Sequence, residues 1–490
     1  MQSMRLPLAA TAFLFFCSCN APEQQKTAGN DKALQDTIKM VEDNLSGNVL
    51  IEDSVNTWNI EKRMAEMKVH GLSIAVIHDY KVAWTKGYGF ADTAAKTPVT
   101  DQTLFQAASI SKSLNGVGIL KLAQDKKLDL LADINNYLTT WKFPYDTASH
   151  GKKISTLNLL SHTGGLTVHG FGGYEPGDSI PTIPQILDGK KPANSPAVRS
   201  MYEPGLKSEY SGGGITISQL ILQDITKQAY DTYMQENVLD PMGMTSSTYR
   251  QPVAKDKEKY LATGYRDNGE AIKGKYHIYP EQAAAGLWTN PADLAKYIIE
   301  TQLSLQGKPG KVLNTEMTKL RLTPYIDSNA ALGVFIVTKG GEKYFSHGGS
   351  NEGFRSQYYG SFEGGNGVVV MVNSDDGGIL EEVVASVAKV YGWKGFYTPK
   401  TRKAIAVTDS MMKPYLGDYY LHDDTLTISM STGRPRLVIN HSFGYDLYFA
   451  TAEDFFAREL NFDLKFEKDA KGQVTDIYFK TGREQRAKRK

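Results

Sequence analysis

The sequence predicts an α+β core followed by a separate all-β domain. Strand-like runs lie near the start of the core, at 72–77 and 82–89, and return towards its end, at 332–339 and 368–373. Between them, the region from about 155 to 309 mixes helical patterns with Gly- and Pro-rich loops. Strands at both ends of a helical middle indicate a core whose first and last segments share one sheet.

The first predicted elements of the core are a helix over 56–68 and a β-hairpin. The run 72–77 is continuously apolar, and 78–81 has the composition of a turn that leads to a second strand at 82–89. Two strand-like runs joined by a short turn predict an antiparallel hairpin. The core closes with a helical pattern over 380–390.

The C-terminal segment, 400–490, has a different pattern. Apolar and polar residues alternate strictly over 426–430 and 462–466, and a turn at 469–472 separates the latter run from another at 474–479. Alternation with a period of two predicts half-buried strands. We expect a separate antiparallel β domain of the small barrel or sandwich type.

The length and composition of the chain limit the classes of function that it can have. A chain of 490 residues is long enough for more than one domain. Its 55 basic and 54 acidic residues give no electrostatic case for a nucleic-acid partner. The sequence contains neither a His-Glu-x-x-His motif nor a cysteine–histidine cluster, so no metal site and no cofactor is predicted.

The N-terminus has the pattern of an export signal. Arg5 precedes an apolar run over 6–16, which is too short to span a bilayer but suits the apolar part of a signal sequence. Residues 1–19 resemble a bacterial lipoprotein signal, in which a cysteine after a small residue is lipidated, and Cys19 after Ser18 is the match. The alternative is a simple cleaved signal.

If Cys19 carries the lipid, the mature chain has no other cysteine and forms no internal disulfide. Residues 20–55 are interpreted as a tether and N-terminal extension, and 21–37 have the composition of a flexible tether. The expected location is the periplasm or outer membrane of a bacterium, held at the membrane surface.

The most informative short motif is Ser109-Ile110-Ser111-Lys112. On a helix, residues three apart share a face with Cβ atoms roughly 5–6 Å apart, so the Lys112 amine can reach the Ser109 hydroxyl. A serine hydroxyl is a poor nucleophile until a neighbour takes its proton. At a helix N-terminus, free backbone N–H groups would also face negative charge on a bound carbonyl oxygen.

The same spacing occurs elsewhere, and context selects Ser109. Ser149 lies in a turn, the pair of Ser410 and Lys413 lies just before a proline, and Ser386 lies in a helical pattern without a second motif. After Ser109, apolar residues repeat at helical spacing and predict a buried helix; they are Leu114, Val117, Leu120 and Ala123.

Two further motifs follow in order, Glu203–Gly214 with Tyr210 in it, and Ser346–Ser350 with His347 in it. The segments 159–166 and 285–288 accompany them. This ordered set resembles the serine beta-lactamase and penicillin-binding-protein superfamily, in the branch of class C beta-lactamases, D-alanyl-D-alanine carboxypeptidases and related esterases. The resemblance spans about 56 to 393 and implies an antiparallel sheet flanked by helices with a helical subdomain.

The resemblance implies roles for several residues. Ser109 would be the acylated nucleophile, Lys112 its partner, and Tyr210 would move protons with the lysine. The third motif would line the substrate with His347, Gly349 and Ser350, where His347 takes the place that many beta-lactamases give to lysine. By analogy, the oxyanion would lie between the backbone N–H groups of Ser109 and Ser350.

One position departs from the family pattern. Many relatives carry asparagine two residues after the tyrosine, where this chain has Gly212, which supplies no side-chain hydrogen bond. With His347, this departure favours peptidases and esterases over beta-lactamases. The histidine in the 159–166 segment, His162, is interpreted as structural.

The residues leave the identity of the base open. A lysine with its ordinary pKa of about 10.4 is neutral in only about one copy in 10^3.4 at pH 7, so the pKa of Lys112 must be lowered by burial or by a cationic neighbour. Tyr210 faces the opposite problem, since nearby positive charge must favour its phenolate.

The predicted function is that of a serine hydrolase acting on an amide or ester, as a D-amino-acid peptidase, a carboxypeptidase or an esterase. The substrate would be a small peptide, ester or β-lactam, with peptidoglycan as a related partner. Two alternatives stay open, namely a class C-like beta-lactamase and a catalytically silent cell-wall-binding protein. The absence of a Gly-x-Ser-x-Gly motif argues against an α/β-hydrolase.

Overall fold

The structure, a computed structural model, describes residues 23–489 apart from 423, 432, 441–443, 452, 461 and 482. The predicted signal over 1–19 and the predicted lipid anchor at Cys19 lie outside the described residues. In the described part of the chain, no helix combines the length and apolarity needed to cross a bilayer.

Helices and strands alternate irregularly through the core, and only strands follow residue 413. The helices are α1 Glu23–Asp43, α2 Ile60–Glu66, α3 Ser111–Gln124, α4 Thr156–Leu160, α5 Ile183–Asp188, α6 Gly212–Thr226, α7 Tyr230–Met234, α8 Asp240–Met242, α9 Gln282–Ala285, α10 Pro291–Leu305, α11 Thr315–Arg321, α12 Gly378–Val390 and α13 Asp409–Met412. The strands are β1 Val49–Ile51, β2 Gly71–His78, β3 Lys81–Asp92, β4 Thr97–Pro98, β5 Phe105–Gln106, β6 Trp288–Thr289, β7 Phe335–Lys339, β8 Glu342–Asn351, β9 Phe354–Ser361, β10 Gly367–Val372, β11 Lys400–Arg402, β12 Gly417–Leu421, β13 Asp424–Ser431, β14 Arg434–Ile439, β15 Gly444–Phe449, β16 Asp454–Ala457, β17 Leu464–Lys468, β18 Val474–Thr481 and β19 Arg483–Arg489.

The core is built on one antiparallel sheet with the strand order β4-β3-β2-β10-β9-β8-β7. The hairpin of β2 and β3 is confirmed, and β2 pairs with β10 from Val372↔Leu72 to Gly367↔Ile77. The first and last segments of the core therefore share one sheet, and the predicted α+β fold is confirmed. The predicted helix over 56–68 begins only at Ile60, because the Asn59 side chain caps it.

Both faces of the sheet are buried, which explains why its central strands are continuously apolar. On one face, Ala75 and Met371 pack with α3 and α10. On the other, Val76 and Val370 pack with α12 and α1. Helix α3 is buried on nearly all sides, so a polar side chain on it is removed from water.

The N-terminal segment corrects one expectation. Residues 21–37 were expected to be a flexible tether, but Glu23–Asp43 form α1. The reason is the spacing of Ile38 and Val41, which bury against α12, where the Ser386 hydroxyl donates to the Val41 carbonyl over 2.7 Å. Polar composition concealed an apolar face at helical spacing.

The C-terminal domain is a closed antiparallel barrel of the strands β12 to β19 in sequence order. Its interior holds the alternating residues of the predicted strands, including Leu426, Ile428, Leu464 and Phe466. The predicted all-β domain is confirmed, and of the two expected types it is the barrel.

Buried charges join the barrel to the core. Arg63 on α2 contacts Glu382 on α12 over 2.6 Å and Glu459, just after β16, over 2.7 Å. The side chains of Arg63 and Glu382 are 4% and 5% exposed. Burial nevertheless raises the pKa of Glu382 to about 7, against the opposing effect of Arg63. Strand β1 also pairs with β11 in parallel, which ties the N-terminal segment to the start of the C-terminal one.

Replacing Arg63 with methionine is expected to lower the free energy of unfolding by about 3 kcal/mol at pH 8, because a buried carboxylate then lacks its partner. The loss should be smaller at pH 6, where Glu382 can take up a proton. Urea unfolding at the two pH values measures both effects. Glu382→Gln on the same background is the control and should recover part of the loss; an equal loss at both pH values would contradict the account.

Candidate active site

Ser109 lies in a 3₁₀ turn, Ala108–Ile110, that leads directly into α3. Ser109 is half-buried, whereas both neighbours are buried. Ala108 has φ +50°, a left-handed conformation that is costly for a residue with a Cβ. Ser109, the candidate nucleophile, therefore lies in a strained turn just before α3 and not within the helix.

Lys112 lies one turn later on α3. Its Nζ is 3.0 Å from Ser109 Oγ and donates to the Ala284 carbonyl at 2.6 Å. Lys112 is only 2% exposed, because α3 is packed on nearly all sides. Burial lowers the pKa of Lys112 to about 7. The amine is thus neutral in about half of the molecules at pH 7.

Tyr210 lies in the loop before α6, close to Ser109 and Lys112. Its ring centre is 4.9 Å from Lys112 Nζ, and its side chain lines the same cleft as Ser109. Burial raises the pKa of Tyr210, and the nearby Ser109 hydroxyl only partly opposes this. The condition for a phenolate, a nearby positive charge that outweighs burial, is therefore not met, and the phenol stays protonated.

Two histidines hold the Tyr210 backbone in place. His169 Nδ1 donates to the Tyr210 carbonyl over 2.5 Å, and His162 Nδ1 accepts from the Ser211 N–H at 3.2 Å. The His162 ring lies 4.4 Å from the Tyr210 ring. Burial, and then the charge of Lys112, lower the pKa of His162 well below its ordinary value, so it is neutral.

His347 lies on β8, where that strand extends past its pairing with β7. Its Nδ1 donates to the Gly348 carbonyl over 2.6 Å, which leaves Nε2 as an acceptor. Nε2 is buried without a partner among the described residues. Burial and the charge of Lys112 lower the pKa of His347 to about 3, so it is neutral and cannot supply the positive charge of a lysine.

Gly349 and Ser350 follow on the same strand edge. A Cβ on Gly349 would lie 2.2 Å from the Ala107 carbonyl oxygen, so only glycine allows this close approach. Asn351 reinforces it by donating to the Gln106 side chain at 2.8 Å. The strand that carries Ser350 is thereby held against the segment just before Ser109.

A cleft of about 480 Å³ opens over these residues, lined by Ser109, Tyr210, Phe335, His347 and Ser350 among others. An adjoining lobe of about 530 Å³ is lined by Phe171, Tyr279, Ser350 and Arg355 among others. The structure thus brings together the sequence-predicted residues Ser109, Lys112, Tyr210, His347, Gly349 and Ser350.

Phe335 and Phe171 are site residues that the motifs did not reveal. The Phe335 ring lies 5.2 Å from that of His347. Phe171 explains Gly212, since a Cβ at Gly212 would lie 3.1 Å from the Phe171 ring. The ring of Phe171 therefore lies against Gly212. No motif contains Phe335 or Phe171, and only folding brings their rings to the site.

Comparison with known proteins places this geometry in a family. The family model described as Beta-lactamase matches residues 58–389. Protein flp of Staphylococcus aureus (strain N315) is 26% identical over 323 residues, which cover 64% of this chain and 61% of flp. The putative penicillin-binding protein PbpX of Bacillus subtilis (strain 168) is 25% identical over 304 residues, which cover 61% of this chain and 70% of PbpX.

Solved structures agree on the fold. The octameric penicillin-binding protein homologue from Pyrococcus abyssi superposes with a TM-score of 0.61 at 20% identity, over 88% of this chain and 98% of that one. SurE, in a crystal structure with D-Leu, gives a TM-score of 0.56 at 18% identity, over 94% of this chain and 100% of its own. The chain therefore belongs to the beta-lactamase family, in its class C-like branch.

Proposed function

We propose that this protein is a serine hydrolase that forms an acyl-enzyme on Ser109. The observation that carries the proposal is the buried amine of Lys112, 3.0 Å from Ser109 Oγ and with a pKa lowered to about 7. A general base works best when its pKa lies near the working pH. Lys112 meets that condition, whereas the raised pKa of Tyr210 keeps it protonated.

In acylation, neutral Lys112 takes the Ser109 proton while Oγ forms a bond to the substrate carbonyl carbon. A neutral amine has two N–H bonds and one lone pair; since one N–H is given to Ala284, the geometry lets the lone pair face Ser109. Negative charge collects on the carbonyl oxygen, for which the N–H groups of Ser109 and Ser350 are the proposed donors by analogy with the family.

In the collapse of that intermediate, the leaving amine or alkoxide needs a proton. Tyr210 is protonated and lines the cleft beside Ser109, so it is the proposed donor. Its own proton is replaced from Lys112, whose Nζ is 4.9 Å from the ring centre. Water then attacks the acyl-enzyme with the same groups acting in reverse, which regenerates Ser109.

The proposed substrates are small peptides ending in a D-amino acid, or simple esters. Arg355 lines both lobes of the cleft and offers positive charge to a carboxylate, although its Nη1 also contacts Asp375 at 3.0 Å. The penicillin-binding protein named among the relatives, and the structure of SurE with D-Leu, support D-amino-acid chemistry. Neutral His347 and the covered Gly212 support a peptidase or esterase over the alternative, a beta-lactamase.

A substrate panel tests the proposal. We expect measurable kcat/KM on a nitrophenyl ester or a D-Ala-D-Ala peptide, and a value at least about tenfold lower on a chromogenic cephalosporin, equal to about 1.4 kcal/mol of transition-state binding. Faster turnover of the cephalosporin would favour the beta-lactamase alternative. No turnover of any of the three by the purified chain would favour the silent cell-wall-binding protein.

A further inference from the structure

A second cavity lies between the core and the barrel, away from Ser109. It has a volume of about 380 Å³ and is lined by Trp58 and Arg63 from the core and by Arg436, Tyr448 and Arg458 from the barrel, among others. Tryptophan and arginine together are typical of sites that recognise anions, since a guanidinium group stacks on the ring and still presents its N–H groups.

Arg458 stacks on Trp58, and so does a second arginine. The Cζ atoms of Arg458 and Arg63 lie 4.0 Å and 4.1 Å from the centre of the Trp58 ring. The Trp58 ring therefore contacts two guanidinium groups. Like charges repel, so this arrangement needs compensating negative charge nearby.

The carboxylates around the cavity are already paired with arginines other than Arg458. Arg63 contacts Glu66 at 3.2 Å and Glu459 at 2.7 Å. Asp446 lies 3.4 Å from Arg436. Within the described residues, Oε2 of Glu459 has no hydrogen-bond partner, and Glu459 forms no ion pair with Arg458.

Within the described residues, Arg458 is thus a buried cation that forms no ion pair. It is only 6% exposed, and within the described residues its Nε and Nη2 atoms are buried with no hydrogen-bond partner. Burying a guanidinium without hydrogen bonds costs several kcal/mol. A group that supplies acceptor oxygens would remove this cost.

We infer that this cavity binds an oxyanion, a carboxylate or a phosphate group, against the guanidinium of Arg458. The planar fork of N–H groups on arginine matches two oxygens of either group. Because Trp58 belongs to the core and Arg458 to the barrel, the bound anion stabilises the contact between them. This site is independent of the hydrolase activity.

Titration of the full-length protein with sodium phosphate and with sodium succinate, against sodium chloride of equal ionic strength, tests the inference. Calorimetry should give saturable binding of one anion per chain, and the tryptophan fluorescence should change with the same midpoint. Saturation by phosphate alone, by succinate alone or by both supports the site and identifies the oxyanion. No saturation by either anion up to about 10 mM would overturn it.

Variants assign the binding to Arg458. Arg458→Gln should weaken it by about tenfold or more, because a charge-assisted hydrogen bond is lost. Arg402→Gln is the matched control, since Arg402 also stacks on an aromatic ring, at 4.5 Å from the centre of Phe456, but is paired with Asp463. Unchanged binding in Arg458→Gln would overturn the inference. Arg458→Lys keeps the positive charge but lacks the planar guanidinium group, so it should bind the anion with intermediate affinity. It also provides the test if Arg458→Gln does not fold.

Discussion

Replacing Ser109 with alanine is expected to lower kcat on the best ester or peptide substrate by at least about 10^4-fold, since loss of a serine nucleophile leaves only binding and oxyanion stabilisation. Ser109 is the hydroxyl that Lys112 contacts, and it shares the cleft with Tyr210. Steady-state kinetics on purified protein measures the loss. Thermal melting should show a folded protein, because a half-buried serine at the head of α3 contributes little to packing.

The chain supplies a matched control for this variant. Ser410 also has a lysine three residues later, but it lies at the exposed start of α13 near the barrel. Ser410→Ala should leave kcat unchanged. If Ser109→Ala keeps more than about a tenth of the wild-type kcat, Ser109 is not the nucleophile.

Replacing Lys112 with methionine is expected to lower kcat/KM by about 10^3-fold, within the range that a positioned general base contributes. Methionine keeps most of the side-chain volume, so α3 should still pack. The variant should be no less stable than the wild type, because a buried amine with a lowered pKa does not favour folding. Stopped-flow kinetics and a thermal melt together separate a chemical role from a structural one.

The pH dependence assigns that role to the amine. With the pKa of Lys112 lowered to about 7, kcat/KM should rise as the pH increases through 7, when Lys112 loses its proton. His347 and Tyr210, which line the same cleft, do not titrate there: the pKa of His347 is lowered to about 3 and that of Tyr210 is raised above its ordinary value. Lys112→Met should lack this step. A wild-type profile that is flat between pH 6 and pH 8 would contradict the assignment.

Much of the fold followed from the sequence because it depends on local periodicity. Alternation revealed the barrel strands, and the apolar run of β2 revealed a strand covered on both faces. Helix α1 was missed because its polar composition outweighed two apolar residues, Ile38 and Val41, whose burial depends on a helix far along the chain. The composition of a segment gives no information about a packing partner so far along the chain.

The motif residues of the site were predictable from their order along the sequence. The features that depend on packing in the folded chain were not. Ser109 and Lys112 share one short motif, and Tyr210 and His347 lie in two further motifs, so the sequence marks all four. The direction of the pKa shift of Tyr210 was not predictable from the sequence, since it depends on how deeply the ring is buried. Phe171, which covers Gly212, is likewise visible only once the loop that carries it is folded.

The same limit applies to the anion site. Trp58 and Arg458 are separated by most of the chain, and neither lies in a pattern that marks a ligand. What identifies the site is the set of pairings around it, in which the neighbouring carboxylates are taken and Arg458 is not. Sequence alone does not show which charges are already paired.

The central claim is that Ser109 becomes acylated, and the mass of the intact protein tests it most directly. After exposure to a fluorophosphonate, a nitrophenyl ester or a D-Ala-D-Ala peptide, and rapid acid quenching, the wild-type protein should gain the mass of one phosphonyl or acyl group. Peptide mapping should place that group on Ser109, and Ser109→Ala should gain none. A protein that turns over the ester without any adduct on Ser109, or that carries its adduct on another residue, would contradict the account.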